Sequence, residues 1–400
     1  MENRLRFVNG NGHHQTHERP MRLALRLACR ALGRTAPNPA VGAVVVKNGR
    51  VIAQGYHRFA GAPHAEAEAL RRAGRRARGA TLYVTLEPCN HVGRTPPCCE
   101  AILASGISRV VVGAVDPNPI TNGRGIARLR RAGLRVTTGV LADESRRLNE
   151  PFWKAMRTGL PLVIAKVGQS LDGKIATAAG RSRWITSAAA RRFGHELRSH
   201  VDAVLVGVRT VLQDDPRLTA RGVPHAPGRP LRVIVDSRLR TPVSARCVSS
   251  GRVPTLIATT VPLARVPRVF RRRGVEVWSF PPRRGRAPSL RRRPSAVGPS
   301  GGRVPLRRLC RRLASRGIQS VLIEGGGEVL AGALSERLVD HVVFVVAPLL
   351  IGGREAPGSV GGEGIRELSQ AIRLREVAYS RLGSDLCVEG RVVYPRTGSS

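Results

Sequence analysis

The sequence predicts two consecutive α/β domains, and three observations support this fold class. Short apolar strands alternate with amphipathic helices along most of the 400 residues. A hydrophobic content of 42% is enough for substantial cores in a chain of this length. A glycine and proline break from Gly159 to Pro161 interrupts the alternation, which then restarts with the apolar strand P-L-V-I-A-K-V. We therefore expect one α/β domain on each side of this break.

The charge of the chain bears on its partners. A formal net charge of +40 would suit a protein that binds nucleic acid through phosphate contacts. The basic residues are nevertheless spread along the whole chain, nearly all are arginines, and only 4 Tyr and 3 Trp are available to stack on bases. We expect a small-molecule substrate and no nucleic-acid partner.

Several features favour a cytoplasmic location. No run of about 18 apolar residues is present to span a membrane, and the N-terminus lacks the order of charged, apolar and small residues found in secretory signals. The 7 cysteines are an odd number and scattered, which does not suit a disulfide framework. We expect a cytoplasmic protein without membrane association, and the sequence leaves a homo-oligomer open.

The first predicted domain covers residues 20–150, after a polar tail at residues 1–19 that we expect to be disordered. Periodicity predicts a helix from Met21 to Leu32, and a turn at Asn48-Gly49 predicts a hairpin. The other predicted elements are strands starting at Ala43, Val51, Thr81, Arg109 and Arg135, and helices at His64 to Ala73, Cys98 to Ser105 and Ile126 to Ala132.

This domain carries a candidate zinc site in P-H-A-E and E-P-C-N-H-V-G-R-T-P-P-C. His64, Cys89 and Cys98 can supply one imidazole and two thiolates to Zn²⁺, which leaves a fourth tetrahedral position for water, as in catalytic zinc sites. If His64 opens a helix, Glu66 can reach that water and move its proton without binding the metal. The order of residues is that of the deaminase pattern H-x-E…P-C-x-x-C, but 8 residues rather than 2 separate the cysteines. The alternative is a chance H-x-E beside two ordinary buried thiols.

The second predicted domain covers residues 160–397 and contains a low-complexity insertion at residues 281–304. E-G-G-G-E, from Glu324 to Glu328, follows a strand and precedes a helix, so that its backbone amides could approach a phosphate. A tight turn is the alternative interpretation. The other predicted elements are strands at Pro161, Ala203, Leu231, Thr255, Val275, Ser320 and His341, and helices at Ser187 to Ser199 and Arg307 to Arg316.

Several motifs together resemble one known family. Besides the cysteine motif they are T-A-P-N-P-A-V-G, D-P-N-P, S-L-D-G-K-I-A, W-I-T, D-D-P-R-L-T-A-R and I-E-G-G, and the resemblance covers roughly residues 20 to 395. The family is the bifunctional deaminase/reductase of riboflavin biosynthesis. Its T-P-P-C motif accounts for the long cysteine spacing and selects Cys98 rather than the adjacent Cys99 as a ligand.

The resemblance implies a fold and an activity for each domain. It implies an N-terminal cytidine-deaminase-like α/β/α domain that uses zinc to remove an amino group from a diaminopyrimidinone ribosylamino 5′-phosphate. It also implies a C-terminal dihydrofolate-reductase-like α/β domain that uses NADPH to reduce the ribosyl group to ribityl.

The resemblance also implies roles for individual residues. His64, Cys89 and Cys98 match the zinc ligands, and Glu66 matches the proton shuttle. Positions that match substrate contacts of the reductase are Ser182, Arg198, Leu218, Arg221 and Glu324. Positions that match NADPH contacts are Gly168, Trp184, Thr210, Asp214, Ser237, Gly325, Gly326 and Gly327.

Some of these residues could have a different role. Arg198 and Arg221 could clamp the substrate phosphate or be solvated side chains. Trp184 could pack on the cofactor or lie in the core, and Asp214 with Asp215 could form a turn before Pro216. For the whole protein, the alternatives are a deaminase acting on RNA or nucleobases with an accessory C-terminal domain, and a scaffold with structural zinc in which His91 is the fourth ligand.

Overall fold

The computed structural model describes residues 15–93, 96–223, 230–249, 251, 253–281 and 302–395. The chain divides into two compact units, Met1–Leu160 and Pro161–Ser400. Across the described residues, no helix is long and apolar enough to cross a membrane. Independent folding of the two units stays a prediction.

The first unit contains one five-stranded sheet. Its strands are β1 (Gly42–Lys47), β2 (Arg50–Tyr56), β3 (Thr81–Leu86), β4 (Arg109–Ala114) and β5 (Arg135–Thr138). They lie in the order β2-β1-β3-β4-β5, and β1 is antiparallel to both of its neighbours, whereas β3, β4 and β5 are parallel. The predicted hairpin and the three later strands are confirmed.

Helices cover both faces of this sheet. They are α1 (Gln15–Cys29), α2 (Ala65–Ala73), α3 (Cys98–Ala104), α4 (Arg124–Arg131), α5 (Ala142–Leu148) and α6 (Glu150–Thr158). Successive residues of a strand point to opposite faces. Accordingly, Val44 belongs to the apolar cluster that contains Met21 of α1, and Val45 belongs to the cluster that contains Ala69 of α2. The result is the predicted α/β/α layering.

The predicted limits of the first domain need two corrections. Helix α1 begins at Gln15, so the expectation of a disordered tail through residue 19 is wrong for residues 15–19; residues 1–14 lie outside the described residues. Tertiary contacts explain the longer helix, because His17 hydrogen-bonds the Tyr83 hydroxyl at 2.9 Å. At the other end, α6 continues the unit beyond residue 150.

The second unit contains a nine-stranded sheet. Its strands are β6 (Leu162–Ser170), β7 (Ala203–Gly207), β8 (Leu231–Val235), β9 (Thr255–Thr259), β10 (Val275–Ser279), β11 (Ser320–Glu324), β12 (His341–Ala347), β13 (Arg373–Leu382) and β14 (Asp385–Val393). Their order is β10-β9-β8-β7-β11-β6-β12-β14-β13. The seven strands from β10 to β12 in this order are parallel, and β14 and β13 add an antiparallel hairpin at one edge.

All seven strands predicted for this unit are present, whereas the hairpin of β13 and β14 was not predicted. The helices of the unit are α7 (Ala188–Ser199), α8 (Val208–Asp214), α9 (Arg246–Ser249), α10 (Arg268–Arg272), α11 (Leu306–Ala314) and α12 (Gly327–Ser335). Most of the predicted insertion, residues 282–301, lies outside the described residues.

Candidate active sites in the two units

The candidate zinc site of the first unit begins at a helix start. His64 is the N-cap residue of α2 and has extended backbone angles, and its side chain makes no capping hydrogen bond to the helix. Glu66 lies in the first turn of α2 and is 3% exposed. The local sequence thus places the imidazole and the carboxylate side by side.

The two cysteines reach the same place from different elements. Cys89 follows β3, and Cys98 is the first residue of α3. His64 Nδ1 lies 3.2 Å from the Cys98 sulfur and 3.6 Å from the Cys89 sulfur, and the ligand atoms of the three residues all lie within 4.8 Å of one another.

This arrangement fits zinc. Zinc bonds of about 2.0–2.3 Å in a tetrahedron require donor atoms roughly 3.5 Å apart, and one nitrogen with two sulfurs is a common donor set for this ion. The cluster comprises His64, Cys89 and Cys98 without His91, which does not support a structural site closed by that histidine.

The adjacent thiol of Cys99 is oriented elsewhere. Its sulfur donates to the carbonyl oxygens of Pro88 and Gly125, each at 3.7 Å, and the side chain is fully buried. Burial raises the pKa of the Cys99 thiol to about 12, so it stays protonated. Cys98 is therefore the cysteine of this pair that faces His64.

The site lowers the pKa of one thiol and raises the pKa of the carboxyl. Hydrogen bonds, first from Cys98 and then from His64, lower the pKa of the Cys89 thiol to about 4, whereas the pKa of the Cys98 thiol is raised by its hydrogen bond to Cys89. Burial raises the pKa of the Glu66 carboxyl to about 7. A carboxyl with this pKa can both accept and release a proton near neutral pH.

Sequence reasoning missed a neighbour of the site, His57. This side chain is 2% exposed, and its ring meets that of His64 edge-on with 5.3 Å between ring centroids. The Asn38 amide lies 3.2 Å from its Nε2, and the Pro63 carbonyl lies 3.1 Å from its Nδ1. Asn38 belongs to the T-A-P-N-P-A-V-G motif, which was a usable signal.

The second unit contains a cleft of about 1180 Å³ at the carboxyl ends of its parallel strands. Ligands commonly bind at this edge of open α/β sheets. All thirteen positions matched to NADPH or to the reductase substrate line the cleft: Gly168, Ser182, Trp184, Arg198, Thr210, Asp214, Leu218, Arg221, Ser237, Glu324, Gly325, Gly326 and Gly327. The roles of these residues stay predictions.

The glycine turn lies between β11 and α12. Gly325 and Gly326 have φ angles of 71° and 80°, which favour glycine, and α12 begins at Gly327. The backbone amides at this helix start can approach an anionic group closely. The turn is thus both a tight turn and a part of the cleft.

Arg198 and Glu324 form an ion pair inside the cleft. Nε of Arg198 lies 2.9 Å from both carboxylate oxygens of Glu324, and Nη2 lies 2.6 Å from one of them. The Nε and Nη2 edge of the Arg198 guanidinium is thus occupied by Glu324, and a phosphate-binding role for Arg198 stays a prediction. Arg221 lines the cleft, and its pKa is lowered by partial desolvation and then by repulsion from Arg198, Arg217 and Arg246. This concentration of positive charge suits an anionic ligand.

Trp184 and the aspartate pair have distinct surroundings in the second unit. Trp184 is 68% exposed, which excludes a core role, and the Arg191 guanidinium lies 4.5 Å from its ring centroid. Asp214, the last residue of α8, accepts a hydrogen bond from Ser182. Asp215 is the C-cap residue that follows, with a φ of 39°, and it accepts a hydrogen bond from the Arg246 amide at 2.7 Å. Asp215 is therefore the turn residue of the pair.

Lys166 is a further residue that sequence reasoning missed. It lines the cleft from β6, and burial lowers the pKa of its amino group, although the Glu324 carboxylate opposes this effect. The signal was a single lysine in the apolar strand L-V-I-A-K-V.

Two family models match the chain. The cytidine and deoxycytidylate deaminase zinc-binding region matches residues 14–114, and the RibD C-terminal domain matches residues 161–388. The riboflavin biosynthesis protein RibD of Aquifex aeolicus is 42% identical over 368 residues, which are 92% of this chain and 96% of that protein. The protein of the same name from Escherichia coli is 40% identical over 380 residues, covering 92% of this chain and 97% of its own length.

Solved structures show similar folds. RibD of Acinetobacter baumannii has a TM-score of 0.84 and 35% identity, with 95% of this chain and 100% of that chain covered. A diaminohydroxyphosphoribosylaminopyrimidine deaminase/5-amino-6-(5-phosphoribosylamino)uracil reductase from Thermotoga maritima has a TM-score of 0.79 and 36% identity, with 96% and 100% covered.

Proposed function

The chain belongs to the RibD family of bifunctional deaminase/reductases of riboflavin biosynthesis, and from this premise we propose how its own residues perform the two reactions. The first unit is a zinc-dependent deaminase with a cytidine-deaminase-like fold. The second is an NADPH-dependent reductase with a dihydrofolate-reductase-like fold. The observation that carries the residue assignments is the cluster of His64, Cys89 and Cys98 together with the buried Glu66.

In the first reaction, the substrate is a diaminopyrimidinone ribosylamino 5′-phosphate. Zinc, when bound by His64, Cys89 and Cys98, supplies a Lewis acid that lowers the pKa of water. The Glu66 carboxylate accepts a proton from the attacking water and returns it to the departing amino group, so that water is consumed and ammonia is released. Burial raises the pKa of the Glu66 carboxyl to about 7, and a group with a pKa near neutral can both take up and release this proton.

In the second reaction, the cleft binds NADPH and the deaminated product. NADPH supplies the hydride when bound. The glycine turn and the start of α12 hold an anionic group of a ligand, and the Arg198 and Glu324 pair orients the substrate. Lys166 lies in the cleft close enough to Glu324 for their charges to interact, and burial lowers the pKa of its amino group.

A coupled assay tests these assignments. We expect about one zinc per chain, ammonia release from the diaminopyrimidinone substrate, and loss of NADPH absorbance only after deamination. The alternative of a deaminase acting on RNA or nucleobases leaves the second cleft without a role. Deamination of RNA without turnover of the small-molecule substrate would support that alternative and contradict our assignments.

We also propose a cytoplasmic location without a membrane or nucleic-acid partner. The seven cysteines all lie in the described part of the chain and form no disulfides, which suits a reducing compartment. Cell fractionation tests the location. A mobility-shift assay at physiological salt tests the nucleic-acid prediction, and a salt-resistant complex with RNA would contradict it.

A homo-oligomer formed through β13 is a further proposal. This strand forms one edge of the second sheet. Nine of its ten residues are exposed, including Leu374, Val377 and Tyr379. Long exposed edges with apolar side chains are usually covered by another strand or chain. Light scattering should give a mass above that of one chain, and Tyr379→Lys should reduce it.

A further inference from the structure

Glu87, which directly precedes Pro88 and Cys89, is hydrogen-bonded to the start of α4. Glu87 is 4% exposed, and its carboxylate accepts four backbone hydrogen bonds. Oε1 accepts from Gly125 at 2.9 Å and Ile126 at 3.2 Å, and Oε2 accepts from Asp116 at 3.1 Å and Gly123 at 2.8 Å. The carboxylate thus fixes the segment that carries Cys89 to the first turn of α4 and the loop that leads into it.

The backbones are in direct contact at the same point. A Cβ atom on Gly125 would lie 2.0 Å from the Pro88 carbonyl oxygen, so only glycine allows this approach. The Cys99 sulfur donates to both the Pro88 and the Gly125 carbonyls, and thereby brings the start of α3 to this contact.

One side chain of α4 joins the two cysteine segments. Nη1 of Arg128 donates to Oδ1 of Asn90 at 2.9 Å, and Nη2 donates to Oε1 of Glu100 at 3.0 Å. Asn90 directly follows Cys89, and Glu100 lies two residues after Cys98. A planar guanidinium holds two acceptors at a fixed separation, which a flexible lysine ammonium would not do.

We propose that α4 positions both cysteine ligands and that Arg128 sets the separation of the two segments that carry them. Arg128 is a positioning residue, because its hydrogen bonds go to Asn90 and Glu100 rather than to the ligand atoms. The inference rests on the proposed zinc roles of Cys89 and Cys98. Groups that orient metal ligands typically change metal affinity by roughly 10- to 100-fold when they are removed.

The test compares Arg128→Met with Arg131→Met. Arg131 lies on the same helix and is exposed, so its replacement is a matched control for charge and helix propensity. Competition with a chromophoric chelator gives the zinc Kd of the full chain. We expect a Kd roughly 10-fold higher for Arg128→Met and an unchanged Kd for Arg131→Met. Substitution with Co²⁺ should show an altered thiolate-to-cobalt absorption band in Arg128→Met alone.

Thermal unfolding of the metal-free chains separates positioning from folding. The ion pair of Arg128 with Glu100 is partly exposed, with side-chain exposures of 36% and 57%, so its loss should change the unfolding temperature little. If Arg128→Met unfolds, Asn90→Ala and Glu100→Ala each remove one of the two bonds and should each raise the Kd. An Arg128→Met chain with wild-type Kd and cobalt spectrum would overturn the inference, as would two single variants with unchanged Kd. Absence of zinc from the wild-type chain would instead contradict the proposed function.

Discussion

At the scale of single residues, two adjacent thiols have different surroundings. Cys98 faces His64, whereas Cys99 donates to two backbone carbonyls. We predict that Cys98→Ser abolishes zinc retention and deamination, because a hydroxyl is a poor zinc ligand, and that Cys99→Ser leaves both largely intact. Zinc content after gel filtration and ammonia release measure the two effects. Equal losses in both variants would show that the ligand assignment is wrong.

Glu66 permits a separation of metal binding from proton transfer. Glu66→Gln keeps the shape of the side chain but cannot carry the proton, so zinc should be retained while deamination falls by about 10²- to 10⁴-fold. The reduction of directly supplied deaminated substrate is an internal control and should be unchanged. Normal deamination in this variant would remove Glu66 from the mechanism.

At the scale of elements, the packing of α1 on β1 depends on one glycine. A Cβ atom on Gly42 would lie 2.0 Å from the Ala24 carbonyl oxygen and 3.0 Å from the Ala28 amide nitrogen, both of which are backbone atoms of α1. Gly42→Ala should therefore displace the helix and destabilise the first unit by about 1–3 kcal/mol.

Denaturant unfolding of the metal-free chain measures this effect. The control is Gly93→Ala. A glycine with a positive φ, such as Gly79 at 74°, would not serve as a control, because alanine there would add backbone strain. Within the described residues, nothing lies within 4 Å of a Cβ atom built on Gly93. A Gly42→Ala chain as stable as the control would mean that α1 can shift at no cost.

At the scale of the whole molecule, the two chemistries use separate parts of the chain. Every zinc-site residue precedes position 100, and every residue that lines the second cleft follows position 165. We predict that a fragment from Thr158 to Ser400 folds alone and oxidises NADPH with the deaminated substrate in the absence of zinc. Circular dichroism and NADPH absorbance test this prediction. A folded fragment that binds no NADPH would indicate that the first unit contributes to the reductase pocket.

Local patterns in the sequence were sufficient for most strands and helices of both units. Alternating and helical periodicity depend on residues a few positions apart, which is why the strand at Thr81 and the helix after His64 could be predicted. Strand β13 escaped prediction because it buries no face and so lacks a regular alternation of apolar and polar residues.

The sequence by itself determined the donor set of the candidate zinc site, since H-A-E and the two Pro-Cys pairs are short motifs whose chemistry resides in residue type and spacing. Only the tertiary structure decided that Arg198 pairs with Glu324, that His57 lies against His64, and that Arg128 joins the two cysteine segments. The physical reason is that these contacts connect residues far apart in the chain. Their geometry depends on how the helices pack on the sheets, which residue type and spacing do not specify.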